Sequence, residues 1–121
     1  MKETISTVEY ASLLYDFYGE LLSEARKDVM NLYHEDNLSL SEIADELGMT
    51  RQAVHYTLKK AEAALEQYEE KLGLLARYKE NQVKSKRASD IADKLLADDN
   101  LTAEERESVE SMMRIIEEIT E

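Results

Sequence analysis

The 121 residues include no cysteine, no proline and only three glycines, which excludes a disulfide framework or thiolate metal centre and favours long helices over strand. The formal net charge of −12 argues against a uniformly basic nucleic-acid surface, yet it is uneven: residues 1–40 hold three basic and eight acidic side chains, residues 98–121 two and nine, and residues 41–60 three of each. No apolar run approaches the roughly 18 residues of a membrane span and no signal-peptide pattern opens the chain, so a soluble cytoplasmic protein with no membrane partner is expected.

The pattern is helical from the start. Thr4 to Leu22 places Val8, Ala11, Leu14, Tyr15, Phe17 and Tyr18 on one broad apolar face. Tyr10, Tyr15 and Tyr18 form an aromatic row, expected in the core because aromatics supply much buried area per residue. Ser23 caps a second helix to about His34, with Ala25, Val29, Leu32 and Tyr33 inward. His34 has no second histidine at metal-ligand spacing and reads as a surface or helix-end residue; no metal site and no cofactor are expected.

Leu40 to Lys60, LSEIADELGMTRQAVHYTLKK, is the stretch around which the chain is organised. Ser39 and Glu42 make a capping box, followed by Ile43, Ala44 and Leu47 at helical spacing. Gly48 stops that helix, because glycine enters the left-handed conformation without a Cβ penalty. Thr50 caps the next helix, which Val54 and Leu58 turn inward. Two helices crossing through so short a turn need a small residue at the crossing, here Ala44, and an aliphatic anchor, here Val54. An ordinary αα-hairpin shares the caps and the apolar face. The number of positions that agree favours a helix-turn-helix, whose second helix enters the major groove of DNA.

That second helix continues to Gly73 with no breaker. Val54, Leu58, Ala61, Leu65, Tyr68, Leu72 and Leu75 alternate at steps of four and three, a heptad seam. Arg77 to Arg87, RYKENQVKSKR, is the most basic run; it reads as a solvated helix extension or linker, with an RNA- or phosphate-contacting arm as the alternative. A short amphipathic helix then carries Ala88, Ile91, Ala92, Leu95 and Leu96. Thr102 and Glu105 form a second capping box, opening a helix with Val109, Met112, Met113, Ile116 and Ile119 as its inner face. These apolar faces exceed what one small core can cover, so a homodimer through Leu58, Leu65, Leu72 and the C-terminal helices is expected. The expected division is a helix-turn-helix domain over 1–76 and a basic linker with a C-terminal helical arm over 77–121. No phosphate-binding glycine loop, dinucleotide fingerprint or paired-histidine motif occurs, and no enzyme activity is expected.

SLSEIADELGMTRQAVHYTLKKAE resembles the helix-turn-helix of the fourth conserved region of bacterial sigma factors, and more closely the YlxM family of small bacterial proteins. Arg51 to Val54, the aliphatic anchor at Leu58, YASLLYDFYGELL (Tyr10 to Leu22) and LEQYEEKLGL (Leu65 to Leu74) carry the closer resemblance, which covers Tyr10 to Tyr78. The sequence departs from the sigma factors at Thr57, where they place an aliphatic, and at Ala53 and His55, where they carry arginines. The unbroken helical periodicity and the absence of proline predict an all-α protein of about six helices, and the resemblance implies a sigma-region-4-like bundle with a long recognition helix and a C-terminal helical arm. It also implies a nucleic-acid-binding regulator linked to the signal recognition particle pathway, with DNA or the particle's RNA as ligand. By position, Arg51, Gln52, His55 and Tyr56 would face the groove and Lys59 and Lys60 the backbone; Arg and Gln suit bidentate reading of guanine and adenine edges. The alternative is a protein-interaction module that keeps the helix-turn-helix as a scaffold.

Overall fold

A computed structural model describes residues 7–120; of the first expected helix, residues 4–6 lie outside them. The described residues form six α-helices and no strand: α1 (Thr7–Tyr18), α2 (Glu24–Met30), α3 (Leu40–Leu47), α4 (Arg51–Leu72), α5 (Leu74–Leu96) and α6 (Ala103–Thr120). A 3-10 turn, Gly19–Leu21, follows α1, and a π-helical turn, Asn31–Glu35, follows α2. The chain divides into two compact units, Met1–Leu75 and Ala76–Glu121.

The first unit is built on α4, against which α1, α2 and α3 pack. Its core holds Leu14 and Tyr18 of α1, Val29 and Met30 of α2, Ile43 and Ala44 of α3, and Val54, Leu58, Ala61 and Leu65 of α4. Tyr18 is fully buried while Tyr10 and Tyr15 pack half-buried on the core, so the aromatic row is structural. Val8 and Ala25, expected inward, are exposed; Met30 fills the core instead.

The seam from Val54 to Leu65 is covered by the chain's own helices. Leu58 is 4% and Leu65 0% exposed inside the first unit, so neither is available to a second copy as expected. The seam also ends at Gly73, which takes φ +63° and accepts the left-handed conformation that closes α4. Leu72, just before it, is exposed, and Leu75 belongs to α5.

The start of α5 is capped from a distance. The Tyr18 hydroxyl donates to Glu69 Oε1 at 2.6 Å and accepts from the Leu74 amide at 3.0 Å. The same Glu69 oxygen accepts the Leu75 amide at 3.0 Å. These bonds satisfy two of the four amides that a helix start leaves without partners. Burial, followed by the bond to the Glu69 carboxylate, pushes the Tyr18 phenol above its usual pKa.

In the second unit the basic run Arg77 to Arg87 is helical throughout, as part of α5. The separate short helix expected over 89–97 is the end of that same helix, because no residue between breaks it. The Thr102 capping box is formed: Glu105 N–H donates to Thr102 Oγ1 at 3.0 Å, and Thr102 N–H to Glu105 Oε1 at 2.9 Å. The face of α6 turned inward carries Val109, Met113, Ile116 and Thr120; Met112 and Ile119, expected with them, are exposed.

Candidate nucleic-acid interface

Local chemistry sets the two helices of the motif. Ser39 Oγ accepts the Glu42 amide at 3.1 Å, and the Ser39 amide donates to Glu42 Oε1 at 2.9 Å, which starts α3. Gly48, at φ +66°, ends it; its own amide and that of Met49, the latter at 2.9 Å, both donate to the Ala44 carbonyl. Thr50 Oγ1 then accepts the Ala53 amide at 3.0 Å, and α4 begins at Arg51. Three residues therefore turn the chain, with Ile43 and Ala44 on one side and Val54 and Leu58 on the other buried in the same core.

Fixing Val54, Leu58 and Ala61 inward decides what α4 shows to solvent. Arg51, Gln52, His55, Tyr56, Lys59 and Lys60 recur at steps of one and three, share the opposite side of the helix, and are all exposed. The Lys60 ammonium stands 5.5 Å from the centre of the Tyr56 ring, within cation–π range. Arg51 and Gln52 occupy the first turn, where the helix dipole favours an anion. The flanking field is mixed, because Asp45 and Glu46 of α3 are also exposed.

Behind the stripe lies a pair that sequence reasoning missed. The His34 side chain is buried, only 2% exposed, so His34 is not a surface residue, although it does stand at a helix end, in the last turn of the π-helical segment. The π-helical turn carries it inward, and its ring meets Tyr33 edge-on at 5.0 Å. Its Nε2 lies 3.7 Å from Glu62 Oε2 and finds no hydrogen-bond partner among the described residues. The other Glu62 oxygen is 3.7 Å from Lys59 Nζ. Glu62 is thus held between a buried imidazole and a cation of the exposed stripe. The only sequence trace was its i, i+3 spacing from Lys59.

Among the described residues no group of three His, Cys, Asp or Glu could hold a metal ion, and no helix is long and apolar enough to cross a membrane.

The family described as "Putative helix-turn-helix protein, YlxM / p13 like" matches residues 5–111, past the Tyr78 limit of the sequence resemblance. A UPF0122 protein of Bacillus pumilus is 40% identical over 112 residues, 93% of this chain and 98% of its own length. One of Exiguobacterium sibiricum is 46% identical over 80 residues, 66% of this chain and 76% of its own. One of Halalkalibacterium halodurans is 42% identical over 90 residues, 74% and 83%. With the capped turn, the buried crossing and the exposed second helix in place, the match over most of the chain assigns this protein to the YlxM / p13-like helix-turn-helix family.

Proposed function

We propose that the chain is a nucleic-acid-binding regulatory protein that reads its ligand through the exposed stripe of α4. The observation that carries this reading is the stripe itself. Six polar, cationic or aromatic side chains from Arg51 to Lys60 stand clear of a helix whose other side is fixed by Val54, Leu58 and Ala61. Arg51 and Gln52 lead the helix, where the N-terminal residues of a recognition helix meet base edges. Both can bond bidentately, Arg to guanine and Gln to adenine. Lys59 and Lys60 follow, both about two turns on, as phosphate partners. On this reading the protein works in the cytoplasm, and the family resemblance makes signal recognition particle RNA the first RNA to try. The alternative, a protein-interaction module that keeps the helix-turn-helix as scaffold and works through its long helix and C-terminal arm, draws on the apolar residues exposed there, Leu72, Ile91 and Ile119 among them.

The test is fluorescence anisotropy of the full chain with a duplex DNA pool and with signal recognition particle RNA, across a salt series. Affinity for one of them should fall steeply with salt, because phosphate neutralisation releases counterions. Arg51→Ala with Gln52→Ala should lose about 1–3 kcal/mol per good base contact. Helicity should not change, since both side chains are exposed. Unchanged affinity in the folded double variant overturns the reading, and so does the absence of salt-sensitive binding to either nucleic acid.

A further inference from the structure

The second unit presents two apolar faces that its own helices do not cover. Its helices run antiparallel: the Gln82 side-chain amide donates to the Thr120 carbonyl at 3.4 Å near one end, and Arg106 donates to the Leu96 carbonyl at 2.8 Å near the other. Val83, Ile91 and Leu95 of α5 and Met112, Ile115 and Ile119 of α6 point away from this packing. Ile91 is 61% and Ile119 72% exposed. On α6 the spacing of three and four makes a continuous stripe.

The charges beside these residues differ in sign. Val83 lies among Lys84 and Arg87, with Glu80 the one acid near it. Met112 and Ile115 lie beside Glu104 and Glu107, with Arg114 the one base. Over their full lengths α5 carries six basic and three acidic residues, and α6 two and six.

We propose that a second copy of this chain covers both faces, α5 of each copy lying on α6 of the other to complete a four-helix bundle. A two-fold pairing places the basic-edged face on the acidic-edged face twice with one set of residues. Two helices cannot enclose a core, whereas four can, and a unit of residues 76–121 is near the size at which association supplies missing burial. A large apolar side chain has roughly 60–120 Å² to lose on full burial. Six such side chains, already part-covered, give about 200–400 Å² per copy and so about 400–800 Å² across the pair. The charged flanks on either side add to this area, toward the roughly 1,200 Å² of a stable interface. A nucleic acid is a poor occupant because α6 is acidic. The proposal stands apart from the reading of α4, which contributes none of these residues.

Sedimentation equilibrium of the full chain at micromolar concentration tests it. The expected mass is twice the 13.9 kDa of one chain. Ile91→Glu on α5 and Ile115→Glu on α6 should each weaken association roughly tenfold or more, because pairing would bury an unpaired charge. Circular dichroism should show unchanged helicity, since both residues are exposed in the single chain. A single 13.9 kDa species overturns the proposal, leaving these faces to a different protein or to solvent. A wild-type dimer that both variants leave intact overturns it too, by placing the interface elsewhere.

Discussion

Ser39–Glu42 and Thr102–Glu105 are the same device, two reciprocal hydrogen bonds of 2.9–3.1 Å at a helix start. The helices behind them differ. Behind the first, α3 buries Ile43 and Ala44; behind the second, α6 has no residue that is fully buried. A capping box thus starts a helix without regard to what the helix will pack on. What holds the helix afterwards is the burial of an apolar face. The first unit has that burial, in a core shared by four helices, whereas among the described residues of the second only Ala92 is buried.

The largest effect that can break this comparison is at Leu65, fully buried on α4. Leu65→Ala should cost about 2–5 kcal/mol in urea unfolding, through lost transfer energy and the cavity left behind. A loss under about 1 kcal/mol would mean that the first unit lacks the closed core described here.

Tyr18→Phe removes the buried hydroxyl shared by the half-buried Glu69 carboxylate and the Leu74 amide and should cost about 1–2 kcal/mol. Its pH dependence has a definite sign. The folded phenol titrates above its unfolded value, so its contribution is complete below about pH 10 and declines as pH rises through the unfolded and then the folded pKa. The gap in melting temperature between wild type and Tyr18→Phe should therefore narrow above pH 10. A constant gap to pH 11 would remove the buried hydroxyl from the account.

The smallest effects sharpen the contrast between the caps. Ser39→Ala should lower the stability of the first unit by about 1 kcal/mol in urea unfolding. Thr102→Ala should leave that transition within about 0.5 kcal/mol and instead lower the ellipticity at 222 nm before it. Equal shifts of the main transition would show that α6 shares in the first unit's stability.

What could be read before the structure was what acts over three or four residues. Ser39, Thr50 and Thr102 cap where expected, and Gly48 and Gly73 end helices in the left-handed region. The inward face of α4 was also readable, because Val54, Leu58, Ala61 and Leu65 follow one period. What covers that face was not, since it depends on helices many residues away. On α6, Val109, Met113 and Ile116 compete with Met112, Ile115 and Ile119 at nearly the same spacing, so periodicity alone does not select the buried set. The basic run has too few apolar residues to mark a helix face, Tyr78 and Val83, yet it also lacks any breaker, and α5 passes through it. For the candidate site, the exposed set followed once Val54 and Leu58 were placed inward. The burial of His34 depends on a π-helical turn that no local pattern announces.

The cap on α5 bears on the order in which the chain folds. The bonds of the capping boxes join residues three apart, whereas those from Tyr18 to Glu69 and from Leu74 to Tyr18 span 51 and 56 residues. The first turns of α3 and α6 can therefore form from their own sequence at any time. The long-range bonds at the first turn of α5 become available only after α1 and α4 have met. During synthesis Tyr18 and Glu69 emerge before Leu74, so the receptor for this helix start can be in place when its amides arrive, and the long loop is closed by the core before the cap depends on it.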